Sequence, residues 1–142
     1  VIRGFLYGRF IEIDAMGIEI SYQVVIEKLN IGVPVYKLIE ILGDLINNAV
    51  EALISDAFGK KMHVVIMETD KFYLEVRNES PYIAYDMLGN FFNKGYSRKG
   101  ENRGLGLYNV KCICEEYDLK VSPECKEIDG TNWLSFKIWK KK

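Results

Sequence analysis

The stretch "VYKLIEILGDLINNAVEALISDAF", Val35 to Phe58, decides how the rest of this chain is read. Its apolar residues at Leu38, Leu42, Leu45, Ala49 and Leu53 are spaced four, three, four and four apart, which is a helix with one buried face. Pro34 sits where a first helical turn tolerates it, and Gly59 is the expected stop. With an advance of about 100° per residue, Asp44, Asn47, Asn48 and Glu51 collect on the opposite face. Such a face is most often simply solvated. Here carboxylate and carboxamide oxygens stand one turn apart, hard donors of the kind Mg²⁺ accepts while it shares its coordination with phosphate oxygens.

Working outward, "IEISYQVVIEKL" (residues 18–29) alternates in its first half, with Ile18, Ile20 and Tyr22 on one side, and reads as a strand. After the helix, "MHVVIMET" and "FYLEVRN" are β-rich runs separated by Asp70 and Lys71, a hairpin. A short helix is expected from Tyr85 to Phe92 and a longer one from Leu105 to Tyr117. The tail folds as a second hairpin about Asp129 and Gly130. The simplest packing is α+β, a two-layer sandwich in which an antiparallel or mixed sheet is covered on one face by about three helices.

Between the short and the long helix lies "NKGYSRKGENRGLGLYNVKCI", Asn93 to Ile113. Gly95, Gly100, Gly104 and Gly106 let the backbone approach a ligand and turn its N–H groups toward it, and the helix that follows offers an N-terminal anion site. Lys94, Arg98, Lys99 and Arg103 add countercharge and Ser97 a hydroxyl, so phosphate is the natural guest. The G-L-G-L alone matches neither a dinucleotide fingerprint nor a G-x-x-x-x-G-K-[ST] loop. Its place after the acid and amide helix is what gives it weight.

The bulk composition narrows the function by exclusion. The chain has 142 residues, enough for one domain with a real core. With 19 Lys and Arg against 20 Asp and Glu, nothing global advertises a nucleic-acid partner, and none is expected. No apolar run reaches the roughly 18 residues of a membrane span. The first residue is Val rather than Met, so an upstream membrane region would be invisible here. Cys112, Cys114 and Cys125 are odd in number, and C-x-C without a second pair is weak zinc evidence; Cys112 and Cys114, within a helical pattern, read as small buried thiols.

The order of parts, an Asn-rich helix, a hairpin ending in Asn, a Phe-containing segment, a basic glycine-rich lid and G-L-G-L opening a helix, resembles the ATP-binding catalytic domain of sensor histidine kinases, in the GHKL superfamily with its Bergerat fold. "ILGDLINNAVEAL" and "FFNKGYSRKGENRGLGLYNVKCI" most resemble the kinases of peptide quorum sensing. The resemblance covers about Ile18 to Ile138. It implies a catalytic domain over residues 18–142, preceded in residues 1–17 by a remnant of the dimerisation helix or linker, and a cytoplasmic place in a membrane-anchored bacterial sensor.

The resemblance also assigns roles. Asn48 matches the residue that coordinates Mg²⁺ on the ATP phosphates, and Asp44 lies where related ATPases carry a water-activating acid. Asn47 and Glu51 share that face. Asn78 matches the residue that recognises the adenine amino group, normally an aspartate followed by glycines; "RNESPYIA" departs from that pattern, and the charge-assisted bond is lost with it. Thr131 matches a threonine supporting the adenine from the last strands, or is a polar turn residue. Lys94, Gly95, Tyr96, Ser97, Lys99, Gly100, Arg103, Gly104, Leu105, Gly106 and Leu107 form the lid and its return, with Tyr96 over the nucleotide or over its own loop. Phe91 and Phe92 read as core aromatics. His63, the lone histidine, lacks the phosphoacceptor pattern, so the acceptor is expected on separate dimerisation and phosphoacceptor helices of the same kinase, with a response regulator as final recipient. Three readings stay open at this stage: histidine kinase catalytic domain, nucleotide-responsive or degenerate interaction module, and, on Asp44 alone, an ATP-hydrolysing domain.

Overall fold

The computed structural model describes residues 1–27, 31–56, 59–94 and 105–140. The lid residues Gly95, Tyr96, Ser97, Arg98, Lys99, Gly100, Arg103 and Gly104 lie outside these. In chain order the elements are α1 (Ile2–Ala15), β1 (Glu19–Ile26), α2 (Val35–Asp56), β2 (Lys61–Glu68), β3 (Phe72–Glu79), α3 (Tyr85–Leu88) running into a 3₁₀ turn (Gly89–Phe92), α4 (Leu105–Glu116), β4 (Leu119–Ile128) and β5 (Thr131–Lys140).

The five strands form one sheet in the order β1-β2-β3-β5-β4. β1 and β2 are parallel, as a crossover through α2 requires, and all other neighbours are antiparallel. The expected mixed sheet with helices packed on it is therefore the fold. Pro123 in β4 lacks a ladder donor and is tolerated because β4 is an edge. The β4–β5 turn places Asp129 at φ 52° and Gly130 at φ 82°, two consecutive left-handed residues that match the right-handed twist of the hairpin.

The core lies between the sheet and the helices. Leu38, Leu42, Leu45, Ala49 and Leu53 of α2 are all buried there, against Met62, Val64 and Ile66 of β2 and Leu74 and Val76 of β3. Phe91 and Phe92 meet Phe136 of β5 edge-on at 5.8 and 5.7 Å, so their part is packing. Each such aromatic pair contributes roughly 0.5–1.5 kcal/mol beyond area burial. α1 shares this core through Leu6 and Ile13 and stacks Phe10 on Tyr22 of β1 at 4.4 Å. Gly17, at φ 84°, closes α1, its N–H bonded to the Asp14 carbonyl.

Gly59 stands between α2, whose described residues end at Asp56, and β2. It is absent from the left-handed glycines, and a Cβ there would collide with the carboxylate of Glu79. That carboxylate accepts the backbone N–H groups of Lys60 and Lys61, both at 2.9 Å. Of the two thiols in α4, Cys114 is buried as expected, whereas Cys112 faces outward.

The sheet face away from the helices is polar but not loose. Glu75 is 5 % exposed there, accepting hydroxyl bonds from Ser135 at 2.6 Å and Tyr73 at 2.9 Å. Burial alone would raise the Glu75 carboxyl; those hydroxyls and Arg77 outweigh it and hold it below its ordinary value. His63 lies on the same face, its Nδ1 2.6 Å from Ser21 Oγ, and burial followed by the neighbouring Arg77 pushes its pKa down.

Candidate functional site

The acid and amide face of α2 divides in the structure. Asp44 is half-buried and lines an open cavity of about 410 Å³ together with Lys94, Leu105, Gly106, Tyr108 and Asn109. One wall is thus α2 and the other is the first turn of α4, where the G-L-G-L stretch re-enters the described structure. Gly106 faces Asp44 closely, since a Cβ at this position would lie 3.6 Å from Asp44 Oδ1. Lys94 Nζ stands 5.8 Å from the centre of the Tyr108 ring.

Burial is the main cause that raises the Asp44 pKa above its ordinary value, and the like charge of Glu40 adds to it. A hydrogen bond from Asn109 acts the other way. That amide donates to Asp44 Oδ2 at 2.9 Å and to Glu40 Oε2 at 2.6 Å, joining α4 to α2 through residues 65 and 69 positions apart in sequence.

The other expected site residues are placed as follows. Asn48 and Glu51 are half-buried on α2 beyond Asp44. Asn47 is exposed, and its Oδ1 accepts a bond from Arg9 of α1 at 2.9 Å, which turns it toward α1. Leu105 is half exposed at the cavity rim, but Leu107 is buried in the core. Asn78 is 2 % exposed on the helix-covered face of β3, and its Nδ2 donates to the Glu79 carbonyl at 2.9 Å. With the amide so oriented, Oδ1 is the atom left to accept from a ligand.

Thr131 opens β5 opposite Ile128. By strand alternation it shares the outer face with Trp133, on which Arg77 sits at 4.9 Å. Its neighbour Asn132 falls on the Asn78 side, donating to the Ser80 carbonyl at 2.8 Å and to Cys125 Sγ at 3.3 Å. Residues that the sequence did not single out, Glu40, Tyr108, Asn109 and Asn132, thus stand beside those that it did.

Carboxylate and carboxamide oxygens a turn apart on α2 are a donor set that fits Mg²⁺, and Lys94 and the α4 N-terminus across the cavity carry the charge and N–H groups that suit an anion. Residues 35–141 match the family described as histidine kinase-, DNA gyrase B- and HSP90-like ATPases. The chain belongs to that family, and it is an ATP-binding catalytic domain of the two-component histidine kinase type.

A probable C4-dicarboxylate sensor kinase of Halalkalibacterium halodurans is 30 % identical over 141 residues, 93 % of this chain and 26 % of that protein. The sensor histidine kinase DcuS of Escherichia coli is 40 % identical over 74 residues, 52 % of this chain and 14 % of that protein. The chain therefore spans about a quarter or less of these relatives. Among solved structures, the nucleotide-free catalytic domain of the histidine kinase ThkA superposes with a TM-score of 0.73 at 23 % identity, covering 98 % of this chain and 90 % of that one. ThkA in complex with the response regulator TrrA gives 0.67 at 20 % identity, over 99 % and 39 % of the two chains. The finer resemblance to peptide quorum-sensing kinases finds no support in these relatives, one of which is named for C4-dicarboxylate. Motifs read for nucleotide binding carry no information about the signal that a kinase senses.

Proposed function

We propose that this domain positions Mg-ATP for transfer of the γ-phosphoryl to a histidine on separate dimerisation and phosphoacceptor helices of a longer sensor kinase, with a response regulator as recipient. The observation that carries the reading is the half-buried Asp44 carboxylate held across one cavity from Gly106 and Lys94. Positioning and charge neutralisation are the main protein contributions to phosphoryl transfer, and the residues divide along those lines. Asn48, with the polar face of α2, holds Mg²⁺; bound there, the ion neutralises phosphate charge. Lys94 and the N–H groups at the start of α4 take phosphate oxygens, and the lid residues Gly95, Tyr96, Ser97, Lys99, Gly100, Arg103 and Gly104 complete the grip. Asn78 Oδ1 accepts the adenine amino group, with Asn132 rather than Thr131 beside it. α1 is part of the folding unit through Leu6 and Ile13, and residues 1–17 lead back toward the dimerisation helices. The membrane anchor belongs to that longer protein; no helix among the described residues is long and apolar enough to cross a membrane.

Titration of the purified chain with ATP by calorimetry, with and without Mg²⁺, tests this. Binding is expected to weaken when Mg²⁺ is removed and to lose its Mg²⁺ dependence in Asn48→Ala. Absence of binding at millimolar Mg-ATP would refute it and favour the interaction module, whose support is the uncharged Asn78. ATP hydrolysis by the isolated chain that Asp44→Asn removes would favour the ATPase reading instead.

A further inference from the structure

Asn109 lies in the G-L-G-L-Y-N stretch that opens α4 but has no individual role in the sequence reading, and its amide links the two walls of the cavity. A side-chain amide has two N–H donors, and both are engaged here, one by Glu40 Oε2 at 2.6 Å and one by Asp44 Oδ2 at 2.9 Å. Glu40 and Asp44 are one turn apart on α2, where like charges repel. Lys37 Nζ reaches the other Glu40 oxygen only at 3.9 Å, so the short, charge-assisted bonds at this pair come from Asn109. The second Asp44 oxygen, Oδ1, is the one that faces Gly106 in the cavity.

We propose that Asn109 is a positioning residue of the nucleotide site: it occupies Oδ2 of Asp44, presents Oδ1 to the cavity, and ties Leu105 and Gly106 at the start of α4 to α2. The assignment rests on the reading that the phosphates of Mg-ATP lie beside Asp44. A plain packing role would need shape at position 109 but not an amide. The positioning role needs the amide and acts only through Asp44.

A double-mutant cycle on nucleotide affinity separates the two. The chain is prepared as Asn109→Leu, Asp44→Ala and the pair together, and Mg-ATP binding is measured by calorimetry beside the melting temperature without ligand. Asn109→Leu is expected to weaken Mg-ATP binding at least about tenfold, as loss of a hydrogen bond to a charged group does. The pair is expected to bind no more weakly than the worse single variant, because both remove one interaction. With Glu40→Gln added to the exchanged pair Asn109→Asp and Asp44→Asn, both bonds are remade with donor and acceptor reversed; the melting temperature should return while affinity stays low. If Asn109→Leu unfolds, Asn109→Ala removes the amide without adding apolar bulk and completes the same cycle.

Wild-type affinity in the Asn109 variant, or losses that multiply in the pair, would overturn the positioning role while leaving the kinase reading intact. A wild-type chain that fails to bind Mg-ATP would overturn both, and is distinguished from the first case by the parent titration alone.

Discussion

Replacing Gly106 by Ala should move the stability of the free domain and its grip on nucleotide in opposite directions. Gly106 is the second residue of α4, and it has no left-handed φ that would penalise a side chain. The new Cβ would meet Asp44 Cβ, Cγ and Oδ1, each at 3.6 Å, which is ordinary van der Waals contact. No steric cost therefore offsets the helix preference of Ala, about 0.5–1 kcal/mol in a helix interior and toward the lower figure in a first turn. The melting temperature of the free chain should rise by about 1–3 °C. The same methyl covers the oxygen that faces the cavity, so Mg-ATP affinity should fall about tenfold, roughly 1.4 kcal/mol. At ligand in excess of both dissociation constants, the stabilisation by ATP falls by that amount, and the liganded variant melts below the liganded parent. Differential scanning fluorimetry with and without Mg-ATP reads both arms. Gly89→Ala, where nothing lies within 4 Å of the added Cβ and no cavity wall is touched, is the control. A free domain that melts lower would refute the packing argument, and an unchanged response to ATP would refute the placement of phosphate beside Asp44.

Three further outcomes follow from the sheet. Ser135→Ala removes a hydrogen bond to a buried carboxylate, and urea unfolding should show a loss of about 1.5–3 kcal/mol with an unchanged slope. Burial and the adjacent Glu75 raise the Tyr73 pKa from 10.0 to about 12, so the folded chain holds that proton more tightly than the unfolded one. The stability this contributes is fully present below pH 10.0 and is lost as pH rises through about 12; Tyr73→Phe should flatten that part of the stability profile. Gly59→Ala forces the Glu79 carboxylate away from two backbone N–H groups, and a fall in melting temperature without loss of Mg²⁺ dependence in ATP binding is the expected reading.

Much of this fold was legible because its signals are local. The spacing of Leu38, Leu42, Leu45, Ala49 and Leu53 requires a one-sided helix, and Asp129-Gly130 between two β-rich runs requires a tight hairpin. Residues fixed by register or by distant contact were not legible. Thr131 and Asn132 are equally polar, and only the turn's use of two residues decides which faces Asn78. Asn47 looks like a site residue until α1 brings Arg9 onto it. The Asn109 bridge spans 65 positions, and no period in the sequence points from one end to the other. Glu75 and Ser135 alternate outward like solvated residues, and their burial goes with a polar cluster, Ser135 and Tyr73 donating to Glu75 beside Arg77, that no local pattern shows.

The strand connections also bear on the order in which the chain acquires its shape. β4 and β5 pair along ten residues each across a two-residue turn, so their closure costs little loop entropy and proceeds on the microsecond scale of hairpins. β1 can join β2 only once α2 has been arranged over the sheet, a far less local event. The edge that completes the sheet is thus the part assembled late and lost early. Substitutions in β1 should act mainly on the rate of unfolding, and those in the β4–β5 hairpin on the rate of folding.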